Sequence, residues 1–167
     1  MTAFVVDTNV PVVANGKSAQ ADPECVIACI EALSVIREHG VLILDDALLI
    51  LREYMRNLSM SGQPGAGDFF MKWVWTIQAH PGHCEQVTIT QHPGDPTNFV
   101  EFPHDADLTG FDRSDRKFVA VALASGNTPE VLNAVDTDWA DFSAALTRNG
   151  VRLRFLCPQH VFPHDHA

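Results

Sequence analysis

The feature that most constrains this chain is an alternation of two patterns. Continuous apolar runs at 3–6 and 41–44 contain β-branched residues and end at acids, Asp7 and Asp45. Such runs fit strands buried on both faces. Residues 85–90 alternate polar residues with Val87 and Ile89, and 131–135 and 151–156 supply two further strands. Helical segments lie between them. Residues 22–39 have Asp22 at the N-cap, Pro23 at the first helical position, Val26, Ile27, Ile30, Leu33 and Ile36 on one side, and Gly40 as the stop. Asp45 or Asp46 caps a second helix running to Leu58. Residues 68–79 are apolar almost all round, 112–125 turn Phe118, Val119, Ala122 and Leu123 inward, and 139–147 complete the set before Gly150. Segments 59–67 and 91–110 read as a hinge and as an irregular, proline-containing loop. Strands alternating with helices predict an α/β fold: a parallel sheet covered on both faces through right-handed crossovers.

The 167 residues, 46% of them hydrophobic, suit one globular domain spanning 1–158, with 159–167 as a flexible tail. No signal peptide is expected at the amino terminus, because residues 1–10 lack a basic segment. No apolar run approaches the ~20 residues that span a bilayer, so no membrane partner is expected. Cys25, Cys29, Cys84 and Cys157 form no CxxC pair and read as buried free thiols in a reducing cytoplasm. His80, His83 and Cys84, and the tail histidines His160, His164 and His166, do not by themselves provide a closed four-ligand zinc site.

Acids mark one edge of the expected sheet. In open parallel sheets ligands bind beyond the carboxyl ends of the strands, where the strand order reverses. Asp7, Asp45, Asp46, Asp136 and Asp138 follow strands; Asp112 and Asp115 open a helix that starts on the same edge; Glu53 lies about two turns into the second long helix. Each has a structural reading as well. Asp7 could begin a turn, Asp45, Asp46 and Asp112 could be helix caps, Asp136 and Asp138 could be loop residues, and Glu53 could pair with Arg52 or Arg56 at the surface. Convergent carboxylates without bases among them require a hard cation, and Mg²⁺ or Mn²⁺ fits that demand and the chemistry of phosphodiester hydrolysis.

Four segments in order resemble the PIN-domain nucleases, which include many toxin components of toxin–antitoxin pairs: Val5-Val6-Asp7-Thr8-Asn9, Leu51-Arg52-Glu53-Tyr54, Asp115 through Ala122, and Asp136-Thr137-Asp138-Trp139-Ala140-Asp141-Phe142. The resemblance implies a three-layer α/β/α sandwich with a five-stranded parallel sheet. It also implies metal-dependent cleavage of single-stranded RNA by a catalytic quartet of Asp7, Glu53, Asp115 and Asp138. Asp7, Asp115, Asp138 and Asp136 would hold Mg²⁺ or Mn²⁺, with Thr8, Asn9 and Asp112 supporting them. Segments 91–110 and 159–167 extend beyond the short toxin pattern. An antitoxin protein is an expected partner on this resemblance, and a homodimer on the apolar 68–79 segment. Two other classes are weighed beside it: a non-catalytic RNA-binding or interaction module, and a phosphohydrolase with an aspartate nucleophile. The latter expects an acid where Asn9 stands.

The formal net charge of −10 would ordinarily oppose a polyanionic substrate. Yet Arg52, Arg56, Arg113, Arg116 and Lys117, five of the eleven basic residues, lie within three positions of Glu53, Asp112 or Asp115. Arg52, Arg56 and Arg113 are the expected substrate-binding residues, on a basic rim around an acidic, metal-loaded centre.

Overall fold

The computed structural model describes residues 1–60 and 65–162. In chain order the elements are β1 (Thr2–Val6), α1 (Asn9–Ala14), α2 (Pro23–His39), β2 (Gly40–Asp45), α3 (Leu49–Asn57), α4 (Ala66–Ile77), β3 (Cys84–Val87), β4 (Gln91–His92), β5 (Asp95–Phe99), α5 (Arg116–Ala124), β6 (Glu130–Asn133), α6 (Thr137–Asp141), α7 (Ser143–Arg148), β7 (Arg152–Phe155) and α8 (Pro158–Val161). Short 3₁₀ turns occupy Ala106–Leu108 and Arg113–Asp115. The fold is α/β: five parallel strands in the order β3-β2-β1-β6-β7, flanked by helices as in a three-layer sandwich.

The continuous apolar runs form the middle of the sheet because both their faces are covered. Val5, Val6, Leu42, Ile43, Leu44, Val131 and Leu132 are all fully buried. At the edge, β7 keeps Arg152 and Arg154 outward, where both reach Glu130, a charged edge that discourages further strand pairing. Asp22 caps α2 by accepting from the Cys25 N–H at 2.8 Å, with Pro23 at the first helical position. Asp45 caps the next helix, accepting from Leu49 and Ile50 at 2.8 and 2.9 Å. Asp46 instead accepts from the Thr88 hydroxyl.

Helices α1, α2 and α4 pack on one another. The α1–α4 approach depends on glycine: a Cβ on Gly67 would stand 1.9 Å from the Pro11 carbonyl oxygen. Beside it Asn15 and Asp68 bond reciprocally, the Asn15 amide donating to the carboxylate and the Asp68 N–H donating to the amide oxygen, each at 2.9 Å. The α4 segment is less enclosed than its composition predicts. Phe70, Met71, Val74 and Ile77 are buried, but Phe69 and Trp75 remain half exposed. The 59–67 hinge falls partly outside the described residues.

Five expectations need correction. The 91–110 segment is not irregular throughout: β4 and β5 form an antiparallel hairpin, turned by Pro93-Gly94 with Gly94 at φ 77°. The 112–125 helix opens as a 3₁₀ turn, and 139–147 divides into α6 and α7 at Phe142. Not all the cysteines are free. Cys25 and Cys157 form a disulfide with Cα atoms 5.2 Å apart, while Cys29 and Cys84 are buried thiols. Finally, the tail starts in order, since α8 buries Val161 and seats His160 3.2 Å from Asp22; residues 163–167 lie outside the described residues.

No helix among the described residues is long and apolar enough to cross a membrane.

Candidate metal centre

The strand order reverses between β1 and β6, since β1 connects onward to one side of the sheet and β6 lies on the other. Past their carboxyl ends the pairing continues for one bond, from the Asp7 N–H to the Leu132 carbonyl at 3.1 Å. Asp7 and Asp136 therefore emerge side by side at the switch point. Asp115 joins them from the amino-terminal end of α5, and carboxylate oxygens of Asp7, Asp115 and Asp136 lie within 4.8 Å of one another.

The structure separates the acids that cap from those that converge. Asp112 caps the 3₁₀ turn, accepting from the Ser114 N–H at 2.9 Å and hydroxyl at 2.8 Å. Asp115 precedes α5 but makes no capping bond with its side chain, which is turned into the cluster. Asp136 does both, capping α6 through the Asp138 N–H at 2.9 Å while facing Asp7 and Asp115. Asp138 stands apart from this trio and accepts from the Asp112 N–H at 2.8 Å. Glu53 is neither a surface acid nor a partner of Arg52 or Arg56. One oxygen accepts from the Thr8 hydroxyl and the other from Lys117 Nζ at 2.7 Å, with both ionic side chains largely buried.

The neighbours hold Asp7 tightly. Its oxygens accept from the Asn9 N–H at 3.0 Å and from the Trp139 indole N–H at 2.6 Å. The Asn9 side chain turns instead to β6, accepting from Ala134 and Val135 and donating to Asn133 at 2.7 Å. Asn133 in turn donates to the Asp136 carbonyl at 2.9 Å, so one amide pair fixes the loops that carry two of the three acids. Tyr54 locks α3 beneath them by donating to the Val6 carbonyl at 2.5 Å.

Electrostatics follow from this burial. Removal from water, with Asp136 and Glu53 nearby, pushes Asp7 up to about 6 against the opposing bonds from Asn9 and Trp139. Burial and the charges of Asp7 and Asp136 push Asp115 up to about 10. Burial also raises Asp138. Without a counter-charge the centre therefore retains a proton on Asp115 at neutral pH. Three hard oxygen donors in one cluster, two of them on buried residues, fit a hard divalent cation.

Beside the centre, Arg52, Arg56, Arg113 and Lys117 line one cleft of about 230 Å³. The three arginines expected to bind substrate thus share a surface. Arg113 is tied to the hairpin, donating to Thr97 at 3.0 Å and to the Asp95 carboxylate.

Sequence reasoning assigned no role in the site to Asn133 or to the Trp139 indole, and it counted Lys117 on the basic rim without seeing that it pairs with Glu53. His80 and His83 stack at 4.8 Å without a third convergent ligand among the described residues, and His164 and His166 lie outside those residues.

The fold and this centre define an α/β protein with a carboxylate cluster at the switch point of a parallel sheet. Compared with known proteins, the chain matches no family model, no curated protein and no solved structure.

Proposed function

We propose that the chain is a divalent-metal-dependent endoribonuclease of the PIN type, hydrolysing phosphodiester bonds of single-stranded RNA. The observation that carries this reading is the convergence of Asp7, Asp115 and Asp136 at the switch point, the first two buried and the third half-buried, with no basic side chain bonded to any of the three among the described residues. Three such carboxylates repel one another, and a hard cation relieves that repulsion. When bound, Mg²⁺ or Mn²⁺ supplies positive charge at the phosphoryl group and lowers the pKa of a water molecule.

The protein's own groups divide the remaining work. Trp139 and Asn9 orient the Asp7 carboxylate, leaving no freedom for it to swing out of the cluster. Asn133 fixes the Asp136 loop. Glu53, held by Thr8 and Lys117, orients the attacking water from the flank. Arg52, Arg56 and Arg113 bind the strand's phosphates in the adjoining cleft. Asp138 acts one step out, through the Asp112 backbone that leads into Asp115. Cleavage on this reading leaves a 5′-phosphate and a 3′-hydroxyl.

A toxin role with an antitoxin partner, a homodimer joined through the Phe69 and Trp75 face of α4, and a cytoplasmic location belong to the same reading. In a reducing cytoplasm Cys25 and Cys157 would be held as thiols, and the bridged chain is then the oxidised form. Light scattering that gives a mass near 18.4 kDa at micromolar concentration would reject the dimer.

The test is ribonuclease activity with Mg²⁺ or Mn²⁺ for the native chain beside Asp7→Asn and Asp115→Asn. Activity confined to the native chain supports the proposal. Equal activity in all three, or none on any RNA with either metal, overturns it.

A further inference from the structure

Arg116 follows Asp115 directly, yet its side chain leaves the metal centre and runs under the β4–β5 hairpin, where the residue is only 6% exposed. Its hydrogen bonds go to neutral oxygens: Asn98 Oδ1 at 3.1 Å and the carbonyls of Thr109 and Phe111 at 3.0 and 3.5 Å. No carboxylate pairs with it among the described residues. The nearby acid Asp95 is bonded to Arg113. A buried guanidinium without a counter-charge is costly, and structures retain one where an anion completes it.

The geometry also shows which edge of the group is unsatisfied. The Phe102 ring covers the guanidinium plane, with the central carbon 4.7 Å from the ring centroid. What remains is the in-plane edge, and there Nε is buried with no hydrogen-bond partner. Arg116 lines a pocket of about 340 Å³ together with Arg113, His104 and Asn98. Asp105 lines it too, but its carboxylate is committed to Arg148 at 2.6 Å and Asn149 at 2.9 Å. A second orphan lies under the same hairpin: His92 Nε2 is buried without a partner, and its ring is 6.1 Å from that of His104.

We propose that this pocket is a phosphate-binding site, with Arg116 as its anchor and Arg113 and His104 as its further donors. Arg116 commits its Nη groups to Asn98, Thr109 and Phe111, which leaves the Nε–H as its unmatched donor and its charge uncompensated. With Arg113 and His104 beside it, the pocket offers more donors than a monocarboxylate can use. Arg113 spends two of its five donors on Thr97 and Asp95. A phosphate, with up to two negative charges and three free oxygens, uses the set fully. The pocket exists because of the 91–110 insertion, whose Asn98, Phe102 and His104 form its wall. It is separate from the acidic trio, and the inference holds whether or not the chain is a nuclease.

The experiment is calorimetric titration of the full chain in EDTA, which removes any contribution from a metal at the acidic trio. The probes are inorganic phosphate, a 5′-phosphorylated dinucleotide, the same dinucleotide without the phosphate, and succinate. Saturable single-site binding of inorganic phosphate is expected, with succinate and the unphosphorylated dinucleotide about tenfold weaker or more. If the phosphorylated dinucleotide binds as well, the pocket holds a strand end; if only the free ion binds, it holds a free phosphate. Both results support the site. Arg116→Gln should weaken binding about tenfold or more. Because Arg116 is buried, His104→Glu provides an independent variant: it changes an exposed residue at the pocket and should abolish binding while the thermal transition is retained. Asp7→Asn, which tests the nuclease reading, should leave phosphate binding unchanged. Absence of saturable phosphate binding to the native chain, equal binding of succinate, or undiminished binding in His104→Glu overturns the proposal.

Discussion

Two sets of buried and half-buried carboxylates sit on the same edge of the sheet, and they are treated oppositely. Glu53 is matched: Lys117 supplies its counter-charge and Thr8 its second bond. Asp7, Asp115 and Asp136 are bonded only by neutral groups and by one another, and burial pushes Asp7 and Asp115 well above the usual carboxylate range. A fold that pairs one acid with a lysine and leaves three others unpaired a short distance away has not run out of bases. On the proposed reading, the unmatched charge is met by a bound cation.

The largest effect that could break this contrast comes from neutralising the trio. Asp7→Asn should reduce metal-dependent cleavage by more than the roughly 100-fold typical of losing an outer partner of a metal ligand, and calorimetry should show Mn²⁺ binding lost. The same change should raise the melting temperature of the metal-free protein, because it removes a buried ionisable carboxyl and its repulsion with Asp136. A fall in that temperature would mean the trio is not strained. Next comes pH. A carboxyl whose pKa is raised by folding holds its proton longer in the native state, so the native state binds more protons and stability falls as pH rises. With Asp7 at about 6 and Asp115 at about 10, metal-free melting temperatures in EDTA should decline from pH 5 towards pH 9, and Mn²⁺ should stabilise more at pH 8 than at pH 5. A flat profile would break the contrast.

Comparing neighbours sharpens it. Asp136→Asn should weaken Mn²⁺ binding more than Asp138→Asn, since only Asp136 faces Asp7 and Asp115. Equal losses in a titration would bring Asp138 into the centre. A smaller effect is expected from Trp139→Phe, which keeps the aromatic packing on Phe111 and removes the indole bond to Asp7; activity should fall about 10-fold to 100-fold. The smallest change in activity is expected on the matched side. Lys117→Met should cost about 2 kcal/mol of stability in denaturant unfolding, with the Mn²⁺ affinity retained.

How far the sequence discloses all this depends on the range of each interaction. The central strands were legible because burial on both faces leaves a continuous apolar signature in 3–6 and 41–44, and α2 because its cap, proline and terminal glycine are local signals. The hairpin was hidden because Asp95-Pro96-Thr97-Asn98 has the composition of a loop; Pro93-Gly94, the signal of the turn itself, was the clue. Within the site, Asp7 and Asp115 could be placed from strand ends and helix starts. The resemblance put Asp138 rather than Asp136 in the quartet, because a spacing of two residues puts either one near the edge until the α6 cap fixes which carboxylate turns inward. Trp139 and Lys117 act across 132 and 64 residues of sequence, and the Cys25–Cys157 bridge across 132, so no local pattern carries them.

That bridge has a topological consequence. The covalent ring it closes, from residue 25 to residue 157, contains β2, β3, β6 and β7 but leaves out β1, the middle strand of the sheet. The oxidised protein is thus a closed loop carrying two outer strand pairs, joined at its centre by a plug that belongs to the free amino-terminal arm. Withdrawing that arm would leave the ring intact, part the sheet into β2–β3 and β6–β7, and take Asp7 with it. The first acid of the trio and the keystone of the sheet are one segment, and it is the segment the crosslink does not hold.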